Sequence, residues 1–391
     1  VHIDSLPEFP WDTLTPYVSL AKSHVDSVSD LSVGTPVDPT PDVVQTALKV
    51  AANSPGYPPT QGTSALREAA LGWLLRSRGV DPAEAGVVEH AVLPALGLKE
   101  LVGLLPSMLG IGKDDVVMHP RIAYPTYDVG AKLAGARTLA ADATTAVGPG
   151  TVKLVWLNSP SNPTGKVLGI DHLAKVVDWA RSRGAIVLSD ECYAELPWEE
   201  PWLSSGVPSV LDPRVTGGDP QGVVALHSLS KRSNMAGYRA AFAMGDQKLI
   251  AQLLELRKHM GMMVPAPVQA AMVAALDDDG HVVQQRKVYC RRRKLLRSAL
   301  ESAGFRIDDS EAGLYLWATH EELLAEAGNG DLSADIGREV PTWHLVEWFA
   351  RRGVVVAPGS FYGLHGAQHV RISLTASDGA IDRAVSRIHP G

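Results

Sequence analysis

Four residues in one short stretch suggest chemistry at once: Ser228-Leu229-Ser230-Lys231, with Arg239 eight positions further on. A primary amine condenses with a carbonyl carbon, while hydroxyls and a planar guanidinium fork hold a phosphate dianion. Together they suit a phosphorylated aldehyde. The same residues also describe a solvated loop lysine, the commoner fate of a Ser-Lys pair. Asp190 follows the apolar run at 186–188. At the floor of a site its carboxylate could pair with a protonated ring nitrogen and keep that ring electron-withdrawing. Its other readings are a helix cap or a metal ligand, and no His, Asp and Glu cluster surrounds it at metal spacing. Tyr193 and Asn162 could donate to a ring oxygen, although Asn162-Pro163-Thr164-Gly165 alone reads as a turn. Tyr124 could stack on a flat ring or be buried in the core. Arg371 stands inside an alternating apolar run and needs an anion, either a substrate carboxylate or an internal acid.

The elements that must position these groups are legible from periodicity. Apolar runs predict strands at 91–93, 116–118, 154–157, 186–188 and 223–226. Leu66, Ala69, Ala70, Trp73 and Leu74 share one helical face, which Gly79 should end. A second amphipathic helix is expected at 171–183. Strand and helix alternating in this way argue for a mostly parallel sheet covered on both sides. In such sheets ligands bind outside the carboxyl ends of the strands. The loops after the five runs carry Leu98 and Lys99, Tyr124, Asn162, Asp190 and Lys231. One rim therefore collects them.

Beyond residue 270 the pattern changes to a long basic helix at 282–303, stopped by Gly304, and short strands at 315–318, 354–357 and 370–374. The expected division is an N-terminal arm at 1–40 that completes a small domain, a large domain at 41–270 and a small α+β domain at 271–391. The first forty residues are expected to form an extended arm or a short entry segment, residues 320–342 a loop or a mobile insertion, and the run Arg291-Arg292-Arg293-Lys294 a solvated helix face. Asp277-Asp278-Asp279-Gly280 lacks the other ligands of a calcium loop.

Composition narrows the class. The 391 residues are 45% apolar and 20% charged, as in soluble globular proteins. A net charge of −7 gives no electrostatic reason to expect nucleic acid or an anionic membrane as partner. Two cysteines cannot make a disulfide framework, and no apolar run is long enough for a membrane span. A cytoplasmic location is expected.

The order of these groups resembles the class I/II, fold-type I aminotransferases that depend on pyridoxal 5'-phosphate (PLP). The resemblance covers nearly the whole chain. It rests on Asn158-Ser-Pro-Ser-Asn162-Pro-Thr-Gly165, Ser189-Asp190-Glu191-Cys192-Tyr193, and Ser228 to Lys231 with Gly237-Tyr238-Arg239. It implies that Lys231 carries the cofactor and moves the proton, with Asp190 on the ring nitrogen and Asn162 and Tyr193 on the ring oxygen. It further implies that Tyr124 stacks on the ring and that Ser228, Ser230, Arg239 and the backbone amides of Leu98 and Lys99 hold the phosphate. Many relatives have a small or hydroxyl residue at the Leu98 position, so only backbone contacts are expected there. Arg371 would clamp the substrate α-carboxylate, with Gly34 and Asn162 beside it. Tyr57 would reach the phosphate of a second subunit, which implies a homodimer with shared sites.

Within the family the chain is most similar to actinobacterial N-succinyldiaminopimelate aminotransferases of lysine biosynthesis. The similar stretches are Asp30 to Asp38, Ala123 to Gly130, Gly261 to Gln269 and Gly366 to Arg371. The competing expectations are transamination of succinylornithine, aspartate or aromatic amino acids, and a PLP-dependent C–S β-lyase. A PLP-sensing transcription regulator is disfavoured by the short proline-rich stretch before Gly34.

Overall fold

The computed structural model describes residues 6–23, 27–146, 152–327 and 341–389. Helix Ser64–Arg78 follows its sequence pattern closely. The expected face of Leu66, Ala69, Ala70, Trp73 and Leu74 is buried, and Gly79 ends the helix at φ 65°. The Thr63 hydroxyl accepts a hydrogen bond from the Leu66 amide at 3.2 Å, which caps the start.

Strand β1 (Ser29–Asp30) precedes the large sheet. That sheet contains β2 (Val92–Leu96), β3 (Val116–His119), β4 (Arg137–Ala140), β5 (Val152–Asn158), β6 (Ile186–Asp190), β7 (Val223–Ser228) and β8 (Ala240–Gly245). Their spatial order is β2-β8-β7-β6-β5-β3-β4. All five expected strands are present. Their pairs are parallel except at β8, which runs antiparallel to both β2 and β7. Sequence patterning missed β8 because Ala-Ala-Phe-Ala-Met-Gly has no β-branched residue. It also missed β4, a short strand of exposed and half-exposed residues. The direction of β8 matters for the site. Its amino end lies beside the carboxyl end of β7, with Ser228 opposite Ala241, so Arg239 arrives at the same rim as Lys231.

The large-sheet layer continues past residue 270. Helix Ala266–Asp277 runs through that position and packs on helices Asp42–Val50 and Ser64–Arg78. The position expected for the division thus falls inside a helix. Helix Gly280–Ser302 then opens the second layer. Its strands are β9 (Arg306–Asp308), β10 (Tyr315–Thr319), β11 (Val354–Val355), β12 (Ala357–Pro358) and β13 (Val370–Ser373). β12, β13, β10 and β9 form an antiparallel sheet in that order, and β11 pairs in parallel with β1.

Three further expectations change. The N-terminal stretch is not extended: Pro10–Leu14 and Thr15–Lys22 are helical, and Leu14, Tyr17 and Ala21 are buried in the second layer's core. The prolines that read as breakers occupy the first positions of these helices, where no amide donor is needed. Residues 321–327 of the expected loop form a helix, as good helix formers should, while 328–340 lie outside the described residues. The basic run is not wholly solvated. Arg292 and Arg293 are buried; Arg292 is paired with Asp38 and Asp378, and Arg293 with Glu199. Successive helix residues are ~100° apart, so a run of four cannot share one face.

Phe242 of β8 packs edge-on against Trp73 at 5.5 Å between ring centroids. Replacing it with alanine should cost about 3–5 kcal/mol. A lowered denaturant midpoint in an unfolding titration is the expected result.

Candidate active site

The strand ends converge on a cavity of about 540 Å³. Lys231, Asp190, Tyr193, Asn162, Tyr124, Ser228, Ser230, Arg239, Leu98, Lys99, Gly34 and Arg371 all line it. Tyr57 does not; its side chain is 96% exposed.

Asp190 ends β6 and is buried. Its Oδ2 accepts from the Tyr127 phenol at 2.9 Å, and its Oδ1 from the Cys192 amide at 3.2 Å. Burial pushes the carboxyl above its ordinary range, and these hydrogen bonds offset only part of that push. Tyr127 was not anticipated. It lies one turn beyond Tyr124 and stacks on Trp156 at 4.7 Å, so its hydroxyl has a fixed direction. An i, i+3 pair of tyrosines after a strand was the available signal. Cys192 also faces the cavity, and burial drives its thiol well above the usual range, which keeps it protonated and inert.

Asn162 is held by Asn158, a second unanticipated residue. Asn158 Nδ2 donates to the carbonyls of Pro160 and Asp190 at 3.1 and 3.0 Å, and its Oδ1 accepts from the Asn162 amide at 2.7 Å. Asn162 Oδ1 in turn accepts from Arg371 Nη1 at 2.9 Å. Arg371 also donates to the Ser32 carbonyl at 2.6 Å, and its Nε has no hydrogen-bond partner. Among the described residues no internal carboxylate pairs with this guanidinium, whose hydrogen bonds go to Asn162 and the Ser32 carbonyl. Its carbon lies 4.0 Å from the centroid of the Tyr315 ring, and the Tyr315 and Tyr193 hydroxyls are 3.1 Å apart. Tyr315 was read only as part of a strand.

On the opposite side, Ser228 caps the one-turn helix Leu229–Arg232, accepting from the Ser230 amide at 3.2 Å. Helix Leu98–Met108 starts at the cavity after Gly97, whose φ is 84°. A Cβ at Gly97 would overlap the Arg239 guanidinium. The glycine thus lets the arginine approach the amide-rich start of the helix, a favourable place for an anion. The Lys231 ammonium donates to the Gly34 carbonyl.

A family model described as aminotransferase class I and II matches residues 26–388. The chain belongs to the class I and II aminotransferases. It is 54% identical over 384 residues to a probable aminotransferase of Mycobacterium tuberculosis, covering 98% of this chain and 85% of that protein. It is 52% identical over 383 residues to the 4-dedimethylamino-4-oxo-anhydrotetracycline transaminase OxyQ of Streptomyces rimosus, covering 98% and 99%. A solved structure of a probable N-succinyldiaminopimelate aminotransferase from Thermus thermophilus superposes with a TM-score of 0.80 at 27% identity, covering 97% and 99%.

The aminotransferase is PLP-dependent, as its family is. The donor set fits that cofactor. A buried carboxylate without a cationic side-chain partner suits a protonated ring nitrogen, and the hydroxyls, Arg239 and helix start suit a phosphate. The lysine lines the same cavity.

Tyr127→Phe keeps the ring stack and removes one donor to Asp190. A hydrogen bond to a charged group contributes about 1.5–3 kcal/mol, so kcat should fall about ten- to a hundredfold. Asp190 will hold its proton more tightly without this donor. The acid limb of the kcat/KM profile should therefore move to higher pH.

Proposed function

We propose that this aminotransferase exchanges an amino group between glutamate and an α-amino acid with an acidic distal end, with N-succinyl-LL-2,6-diaminopimelate as the favoured substrate. The observation that carries the reading is the distribution of cations. Among the described residues lining the cavity, the cationic side chains are Lys99, Lys231, Arg239 and Arg371. Lys231 carries the cofactor, Arg239 meets its phosphate and Arg371 holds the α-carboxylate. Lys99 remains for a distal carboxylate. Its ammonium lies 5.1 Å from the Phe9 ring centroid at the cavity wall, restrained by a cation–π contact.

The cofactor supplies an electrophilic carbonyl and a ring that withdraws charge from the substrate α-carbon. Lys231 Nζ takes the proton from that carbon. Asp190 holds the ring-nitrogen proton, and Asn162 and Tyr193 donate to the ring oxygen. Tyr124 covers one ring face. Arg371, backed by Asn162 Oδ1 and the Ser32 carbonyl, fixes the α-carboxylate so that the α-hydrogen faces Lys231. Glutamate leaves as 2-oxoglutarate before N-succinyl-2-amino-6-ketopimelate accepts the amino group. In a homodimer, exposed Tyr57 would reach the phosphate of a second subunit; its exposure leaves it free to do so. The two free cysteines, Cys192 and Cys290, suit the reducing cytoplasm.

A second reading has its own support. Phe9 and Trp11 line the cavity with ring centroids 5.7 Å apart, a surface on which a flat polycyclic ketone could lie.

Three experiments test these readings. Lys231→Ala should abolish turnover and the absorbance of the covalently attached cofactor; an active alanine variant without added amine would sink the assignment. Single-turnover spectra should show bleaching with glutamate and N-succinyldiaminopimelate, and weaker responses with succinylornithine, aspartate and aromatic amino acids. Lys99→Met should raise KM for the dicarboxylates about tenfold, the scale of one charge-assisted contact, and spare monocarboxylates. Silence with N-succinyldiaminopimelate, against a response to an anhydrotetracycline ketone, would decide for the second reading.

A further inference from the structure

The segment from Ser32 to Thr40 crosses the cavity wall and is held from both layers. The Ser32 carbonyl takes a hydrogen bond from Arg371, and the Val33 carbonyl one from the Thr375 hydroxyl at 3.2 Å. The Gly34 carbonyl accepts from Lys231. Pro39 and Thr40 are tied to Asn234, three residues beyond Lys231: Asn234 Nδ2 donates to the Pro39 carbonyl at 3.2 Å, and the Thr40 hydroxyl donates to the Asn234 carbonyl at 3.0 Å. Asn234 holds a left-handed φ of 50°, rare for a residue other than glycine.

Between these ties lies one ion pair. Arg292, from helix Gly280–Ser302, meets Asp38 bidentately at 2.6 and 2.8 Å, and Gln285 of the same helix adds a third bond to that carboxylate at 2.8 Å. The Arg292 side chain is 2% exposed and that of Asp38 19%. A bidentate pair with so little water access fixes both orientation and distance. Arg292 keeps a separate partner in Asp378, at 2.7 Å from its Nε.

We infer that Asp38 and Arg292 are positioning residues for substrate binding: the pair pins the strap so that the Ser32 carbonyl orients Arg371 and Gly34 shapes the cavity beside it. A Cβ at Gly34 would overlap the Tyr315 hydroxyl, so this wall tolerates little displacement. The effect falls on the carboxylate side of the site. The phosphate side would rest on Ser228, Ser230 and Arg239, whose hydrogen bonds among the described residues go elsewhere than the strap. The inference rests on Arg371 as the α-carboxylate anchor.

The test uses the holoenzyme and two probes, glutamate as substrate and succinate as an unreactive carboxylate read by the change in cofactor absorbance. Asp38→Asn should raise KM for glutamate and Kd for succinate about tenfold while kcat stays within about threefold, the split expected when only binding is lost. The Kd for PLP should not change. Asp38→Glu should recover most of the loss. Asp378→Asn removes the other partner of Arg292 without touching the strap and should leave both constants near wild type. Should Asp38→Asn fail to fold, Gln285→Leu reads the same constants through the neutral bond to the same carboxylate, with a rise of about threefold. Wild-type constants in Asp38→Asn, or an equal rise in Asp378→Asn, would overturn the proposal. Arg371→Lys separates the two ideas. If it raises both constants and Asp38→Asn does not, the strap proposal fails alone; if it raises neither, the anchor assignment fails.

Discussion

The site is organised around a carboxylate that water barely reaches. Asp190 stands at the end of a strand in the middle of the large sheet. A charge there is costly unless hydrogen bonds or an opposite charge answer it. Among the described residues the protein answers it with hydrogen-bond donors, the Tyr127 phenol and Cys192. Trp156 fixes the phenol, and Asn158 ties the neighbouring loop to the Asp190 backbone. The carboxylate is therefore rigid and directed. A cationic ring nitrogen brought to this floor would meet a carboxylate of fixed direction.

Much of this arrangement was legible before any coordinates. Apolar runs located five strands whose ends line the cavity, and Asp190 and Lys231 were picked out from the residues at or just beyond those ends. What stayed hidden depends on side-chain direction or weak local preference. Tyr127 and Tyr315 look like core aromatics in sequence, and only their hydroxyl partners distinguish them. Strand β8 is written in alanines and glycine, so its pairing comes from burial between two neighbours and not from propensity. The basic run misled because a stretch of like charges was read as one surface. Helical geometry turns Arg292 and Arg293 inward, where acids from distant parts of the chain await them.

The phosphate side shows a different economy. Gly97 and Arg239 both sit at positive φ, at 84° and 55°. Only the glycine has an easy claim to that region. The arginine adopts it at the turn into β8, and its guanidinium lies where a side chain on residue 97 would otherwise be. One backbone position is left bare so that another can bring charge close.

The wall that carries Phe9 and Trp11 belongs to the N-terminal segment, whose remaining apolar residues pack in the second layer. None of the groups that grip the ring or its phosphate comes from that stretch. These two aromatic rings and the side chains at the strand ends thus come from separate stretches of the sequence. Substitutions at Phe9 or Trp11 can reshape this wall while leaving Asp190, Lys231 and Arg239 in place.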